Sequence, residues 1–254
     1  MNKFFILFLL LVFPSWLFCY ELNGKYYSEN GYYEFSEGNY NSLMINFESG
    51  AISKSIGTFK VVLDEFENAR LLLKSDTGIE CNLRYFEFDD FLLLYHHSED
   101  PFFIGNRKTS RRIENLVPPR KISATSYLVE KNRTYKPDKL ALWGNLNYIW
   151  AEGVNGTGIG EQLFLENAFI RKLYILPGYV SIKRPDLFKK NARPARIKIT
   201  RGDEILFVDL KDEAVYQVVE FQKVNKERIT VEIIDVFEGT LYEDTCISSI
   251  LCLR

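Results

Sequence analysis

Period-two alternation of apolar and polar residues, interrupted every few positions by turn-forming clusters and never giving way to a long amphipathic helix, is the feature that most limits how this chain can fold. Between Gly24 and about Asn106, Leu43, Ile45 and Phe47 face one way, and Met44 and Asn46 the other. Further on, Ile79, Cys81, Leu83 and Tyr85 are set against Glu80, Asn82 and Arg84. Asp89-Asp90 then separates that run from Phe91-Leu92-Leu93-Leu94-Tyr95, a hairpin signature. Turn clusters at Glu37-Gly38-Asn39, Ser49-Gly50 and Asp76-Thr77-Gly78 divide the rest. About six strands in an up-and-down meander, or a small barrel, satisfy this pattern.

The periodicity stops between Arg107 and Lys121, where Arg107, Lys108, Arg111, Arg112, Pro118, Pro119, Arg120 and Lys121 collect. Adjacent prolines lack amide donors and favour extended backbone, so residues 107–121 read as a linker. Alternation resumes from Ile122. Ile197 and Ile199 alternate with Arg196, Lys198 and Thr200 up to Arg201-Gly202-Asp203, and Glu204 to Leu210 returns as the partner strand. Val215, Gln217, Val219 and Phe221, then Ile229, Val231 and Ile233, repeat the pattern. The second module, residues 122–254, is expected to be an antiparallel sandwich.

The first 19 residues belong to neither module. Lys3, an apolar run from Phe4 to Phe13, Pro14 and the segment ending at Cys19 form the parts of a secretory signal peptide, cleaved after Cys19, and residues 20–106 then make the first module. The run is about half the length a spanning helix needs, and no later segment is long or apolar enough, so no transmembrane helix is expected after leader removal. Lipidation of Cys19 is the alternative, although bulky Phe18 suits a lipoprotein signal poorly. A periplasmic, outer-surface or secreted location in a bacterium follows. A net charge of −2 argues against a nucleic-acid partner. Cys81, Cys246 and Cys252 are too few and too scattered for a disulfide framework, and the adjacent pair His96-His97 offers no zinc spacing. No metal or cofactor is expected.

The opening Leu22-x-Gly24-x-Tyr26-Tyr27, with Gly57-Thr58-Phe59 later, is similar to the strand pattern of lipocalin-like barrels. The second half carries a more specific order. Trp150-Ala151-Glu152-Gly153-Val154-Asn155-Gly156-Thr157-Gly158-Ile159-Gly160-Glu161 is followed by Pro177-Gly178-Tyr179, Asn191-Ala192-Arg193 and Tyr242-Glu243-Asp244-Thr245-Cys246-Ile247-Ser248. From about Ala124-Thr125-Ser126 to Ile250 this resembles the NADase-type glycan-binding domain, a discoidin-like, galactose-binding-like jelly roll of exported bacterial proteins. The resemblance implies a β-sandwich associated with glycan binding, and it implies no NAD-cleaving activity. Two departures stand out. Trp143-Gly144 lies where the family tends to have Asp-Gly, and Ser249 lies where it has an acid, so neither carboxylate's role carries over.

Gly156, Gly158 and Gly160 have the wrong spacing for a dinucleotide loop, and apolar Leu163-Phe164-Leu165 follows them, so they read as tight-turn glycines. Trp143, Tyr148 and Trp150 offer aromatic faces of the kind on which a pyranose ring can sit. Asn191 and Arg193 lie in a segment, Lys183 to Arg201, that holds eight basic residues against the single acid Asp186. Such charge would suit an anionic glycan or a phospholipid headgroup. Trp143, Tyr148, Asn191 and Arg193 are therefore the expected ligand-facing set, with Trp150, Glu152, Gly153, Gly156, Gly158, Gly160, Gly178, Tyr179 and Asp244 carrying the fold. Glu152 and Asp244 are the acids a glycosidase would need, but a carboxylate capping turn amides is the commoner role, and no catalytic residue is assigned. The reading is a non-catalytic carbohydrate-binding protein. The alternatives are an envelope scaffold with a protein partner, or a lipocalin-like carrier of an apolar ligand, the last depending on whether the barrel interior is open or filled by Phe and Tyr.

Overall fold

The computed structural model describes residues 22–108, 116–166 and 169–254. The leader expected over residues 1–19 and Arg111-Arg112 of the linker lie outside the described residues. The first module is a closed barrel of eight antiparallel strands in chain order. These are β1 (Gly24–Ser28), β2 (Gly31–Ser36), β3 (Asn39–Ile45), β4 (Ile52–Leu63), β5 (Ala69–Ser75), β6 (Glu80–Phe88), β7 (Phe91–Tyr95) and β8 (Phe103–Asn106). Pairing of Tyr27 on β1 with Asn106 on β8 closes the ring. The Asp89-Asp90 turn falls between β6 and β7, with Phe88 opposite Phe91.

Side chains fill the barrel. Tyr26, Phe35, Tyr40, Leu71, Leu73, Leu83, Tyr85, Leu92, Leu94 and Phe103 make its core, with Tyr33, Met44 and Phe59 packed against them. Tyr33 lies edge-on to Phe103 at 4.9 Å between ring centres, and Phe35 edge-on to Phe59 at 5.2 Å. An eight-stranded barrel leaves an interior just wide enough for such filling. A container for an apolar ligand therefore has no support in this interior. In β3 the inward set is Tyr40, Ser42 and Met44, while Phe47 lies past the strand end and is 70% exposed. Both faces of that segment are apolar, so alternation alone could not choose the inner one; barrel closure sets it.

The second module packs two antiparallel sheets. One has the order β10 (Trp150–Ala151), β17 (Cys246–Leu253), β12 (Lys172–Pro177), β15 (Gln217–Glu220). The other runs β14 (Glu204–Asp209), β13 (Arg193–Arg201), β16 (Ile229–Phe237), β11 (Gln162–Glu166), β9 (Lys121–Ala124). Between them lie Trp150, Leu163, Leu173, Ile175, Ile197, Ile199, Val231, Ile233, Ile247 and Ile250. One short helix, α1 (Leu187–Lys190), lies in the loop between β12 and β13. Among the described residues no helix is long and apolar enough to cross a membrane.

The two modules share a third core. Phe86 and Phe88 of β6 and Phe91, Leu93 and Tyr95 of β7 point out of the barrel and pack on Tyr174 and Leu176 of β12, Tyr216, and Leu251 and Leu253 of β17. This explains why Phe91-Leu92-Leu93-Leu94-Tyr95 and Leu173-Tyr174-Ile175-Leu176 are continuous apolar runs: each strand is buried on both faces. Each such side chain contributes about 2 kcal/mol on burial. Polar contacts fasten the seam. Asp89 accepts from Lys172 Nζ (2.9 Å) and the Tyr174 hydroxyl (2.8 Å). Arg84, only 4% exposed, donates to the Ala69 carbonyl in the barrel and the Ala214 carbonyl in the sandwich. Burial lowers the Arg84 guanidinium to about 10. The sequence between the modules also joins the sandwich, since Leu116 bridges Leu253 and the Val117 amide donates to Cys252 O.

Candidate functional site

The sandwich presents its chemistry in the loops at one end, chiefly the segment between β9 and β10 and that between β12 and β13. The first lacks a strand period, and its shape is held by a small hairpin in which Glu130 N bonds Arg133 O and Tyr135 N bonds Leu128 O. Its arms bring Arg133 and Tyr135 against Tyr179 of the second loop. Arg133 is exposed, with Nη1 donating to Tyr179 Oη (2.8 Å) and Nη2 to Asn147 O (3.1 Å). Its guanidinium carbon lies 4.7 Å from the Tyr135 ring centre and 5.7 Å from that of Tyr179, and the two rings meet edge to face at 6.3 Å. Tyr135 donates to Glu130 Oε2 (2.9 Å). Burial first, and the Glu130 bond second, raise the Tyr135 phenol, and burial raises that of Tyr179, so both hydroxyls keep their protons at neutral pH.

Tyr148 continues this surface beside Asn147, with Lys139 Nζ 4.7 Å from its ring centre. Lys136 sits 5.3 Å from the ring of Tyr127, which is 38% exposed. The face thus combines partly exposed rings, a guanidinium met by a hydroxyl and a carbonyl rather than a carboxylate, and the Glu130 carboxylate. Rings can cover the apolar face of a sugar while the planar polar groups bind its hydroxyls.

The expected ligand-facing residues do not gather in one place. Tyr148 is half-buried and follows Asn147, whose carbonyl receives Arg133. Trp143, at φ +49°, is half-buried against the core shared with the barrel. Next to it, the carbonyl of Gly144 accepts from the Tyr95 hydroxyl (2.6 Å). A Cβ on Gly144 would come within 2.5 Å of Leu93 Cδ2, so the sequence that departs from the family's Asp-Gly is where the barrel docks.

Asn191 and Arg193 are corrections. Asn191 is 7% exposed and its amide caps α1 by donating to Leu187 O (2.9 Å). Arg193 is 5% exposed, with Nε and Nη2 clasping Asp212 (2.5 and 2.7 Å) and Nη1 donating to Asn191 O and Glu238 O. The basic segment around them is largely neutralised. Arg184 and Lys190 pair with Asp186, Lys189 with Asp212, Arg196 with Asp209 and Lys198 with Glu232, while Arg201, 1% exposed, donates into backbone carbonyls and Asn225. Most of those acids lie far along the chain, so a count within the segment missed them.

The motif residues sit inside. Trp150 is fully buried and its indole donates to Ser126 O (3.0 Å). Glu152, also fully buried, accepts from the amides of Val154 (2.8 Å) and Thr245 (3.2 Å), tying the glycine-rich loop to β17. Burial raises its carboxyl, as it does that of Asp244. Gly158, at φ +65°, leaves no room for a Cβ beside the Glu152 side chain. Gly153 lies against the Tyr127 carbonyl, and Gly178, at φ +77°, against Phe188. Gly156 and Gly160 turn the same loop at positive φ. Among the described residues no cluster of His, Cys, Asp and Glu could hold a metal, and Cys81, Cys246 and Cys252 are free thiols. Arg133 and Tyr135 were missed by the sequence reading; the available signal was a loop without strand period, enriched in Tyr and in Arg or Lys between Tyr127 and Tyr148.

These two sheets and their loop end define an all-β protein with a discoidin-like sandwich. The chain belongs to the family described as the NAD glycohydrolase translocation F5/8 type C domain, matched over residues 115–253. Among solved structures it is similar to the family 32 carbohydrate-binding module from C. perfringens NanJ, solved in complex with galactose, at 17% identity over 55% of this chain and 98% of that one, with a TM-score of 0.40. A second such module, CpGH89CBM32-5 from Clostridium perfringens, in complex with GalNAc-β-1,3-galactose, matches at 16% identity over 53% and 94%, with a TM-score of 0.39. No curated protein matches.

Proposed function

We propose that this is a non-catalytic carbohydrate-binding protein, exported to the bacterial envelope or beyond, whose sugar site is the face formed by Arg133, Tyr135, Tyr179, Asn147 and Tyr148. The observation that carries the reading is the exposed Arg133 guanidinium at the loop end of the family domain, 4.7 Å from the ring centre of half-buried Tyr135 and donating to the hydroxyl of half-buried Tyr179. Export rests on the apolar leader from Phe4 to Phe13. The division into a leader (1–19), barrel (20–106), connecting segment (107–121) and sandwich (122–254) remains the proposed organisation. The sugars bound by the similar modules, galactose and GalNAc-β-1,3-galactose, make suitable probes.

The test is a panel of immobilised neutral and acidic saccharides, including those two, screened with the full chain after leader removal and with Arg133→Ala and Tyr179→Phe. Selective binding that both variants weaken supports the site. Binding untouched by either places the sugar elsewhere, and no binding by folded protein favours the scaffold reading with a protein partner.

A further inference from the structure

The loops that carry the candidate sugar face are held by the barrel. Glu99, in the loop between β7 and β8, is 9% exposed and reaches across the seam. Its carboxylate accepts from Ser181 Oγ (2.7 Å), Ile182 N (2.9 Å) and Lys183 N (3.3 Å), which begin two residues after Tyr179. Its backbone carbonyl accepts from Leu146 N (2.8 Å). Asp100 accepts from the Asn145 amide group, and Asn145 Oδ1 in turn accepts from Asn147 N (2.9 Å) and Nδ2 (2.8 Å). Asn147 O then receives Arg133. Asp100 thus leads through Asn145 and Asn147 to the guanidinium, while Glu99 fixes Leu146, one residue before Asn147, by its carbonyl and the segment two to four residues after Tyr179 by its carboxylate.

We infer that Glu99 is a positioning residue for sugar recognition, so that the barrel's β7–β8 loop sets the geometry of the sandwich's binding loops. The inference rests on the carbohydrate reading above. The carboxylate suits the task because it accepts from three donors at once in a place sheltered from water, where each charge-assisted bond is strong. Gly178 and Val180 on either side of Tyr179 are held by β17, so the carboxylate fixes the stretch of loop that follows, and a glutamine, with one acceptor oxygen for three donors, leaves part of that stretch unheld. A control lies at the other end of the same seam. Asp89 also joins barrel to sandwich, through Lys172 and Tyr174, but its partners do not lead to the sugar face.

The experiment compares the full chain with Glu99→Gln and Asp89→Asn, measuring thermal stability, binding to the saccharides that the parent protein retains, and amide exchange at Leu146, Ile182 and Lys183. Glu99→Gln is expected to weaken binding about tenfold and to speed exchange at Ile182 and Lys183, while Asp89→Asn lowers stability comparably and leaves affinity unchanged. Parent-like affinity in Glu99→Gln, or equal weakening in both variants, overturns the positioning role and leaves the sugar site standing. A folded parent chain that binds none of the panel removes the site itself and this inference with it.

Discussion

Arg193 and Arg133 carry the same guanidinium in the same sandwich, and the surroundings make opposite use of it. Arg193 is enclosed, clasped by Asp212 and two backbone carbonyls, with four of its five N–H donors committed. Arg133 is exposed, with two of its five N–H donors committed and its guanidinium carbon 4.7 Å from the Tyr135 ring centre. The residue in the crowded basic segment holds the fold together, and the one in an unremarkable loop keeps donors open to solvent and is the proposed sugar contact. Density of charge along the chain thus predicts pairing as readily as binding; what separates the cases is whether distant acids fold onto the cations.

The largest effect expected comes from removing the support under both arginines. A fragment of residues 116–254 would expose Tyr174, Leu176, Tyr216, Leu251 and Leu253 together, and it should aggregate or lose cooperative unfolding, as gel filtration and thermal melts would show. A well-behaved monomeric fragment would mean that the seam is incidental. Next, Arg193→Ala should cost about 3 kcal/mol in chemical denaturation, the low end for breaking a buried pair, because Asp212 keeps Lys189 and some solvent. Arg133→Ala should reverse the balance, changing stability by about 0.5 kcal/mol or less while weakening sugar binding about tenfold.

Acid should sharpen the contrast. Burial alone would raise the Asp212 carboxyl, but the bonds from Arg193 and Lys189 outweigh it and hold the group below its ordinary value. A depressed carboxylate contributes stability in full above its unfolded value, near about 4, and loses it as pH falls through the folded value. Stability should therefore begin to drop as pH falls through about 4 and keep dropping below it, and less steeply in Arg193→Ala, where the pair is already broken. The smallest effect belongs to Lys190→Ala, whose solvent-exposed bridge to Asp186 is screened by water and should leave the denaturation midpoint almost unmoved.

The barrel and the sandwich were legible because their cause is local: alternation, turn residues and the glycine-rich motif lie in order along the chain. The shared core was visible only as two unexplained apolar runs, Phe91 to Tyr95 and Leu173 to Leu176, since a strand buried on both faces looks alike whatever covers it. The candidate site was less legible. Tyr148 is assigned to the proposed face by its place next to Asn147 in the chain, while Asn191 and Arg193 are spent on α1 and Asp212, and Trp143 faces the barrel. Arg193 and Arg133 share one origin: partners 19 or more residues away in sequence, Asp212 and Tyr179, decide whether a guanidinium is available, whereas Asn191 is spent locally on Leu187 O, four residues back.

The most direct test is an NMR titration of the labelled full chain with a saccharide that it retains from the panel. The account predicts that the amides of Arg133, Tyr135, Asn147, Tyr148 and Tyr179 shift together and saturate at one affinity, with those from Asn191 to Arg201 unmoved. Shifts centred on the segment from Lys183 to Arg201, with the Arg133 loop silent, would contradict it.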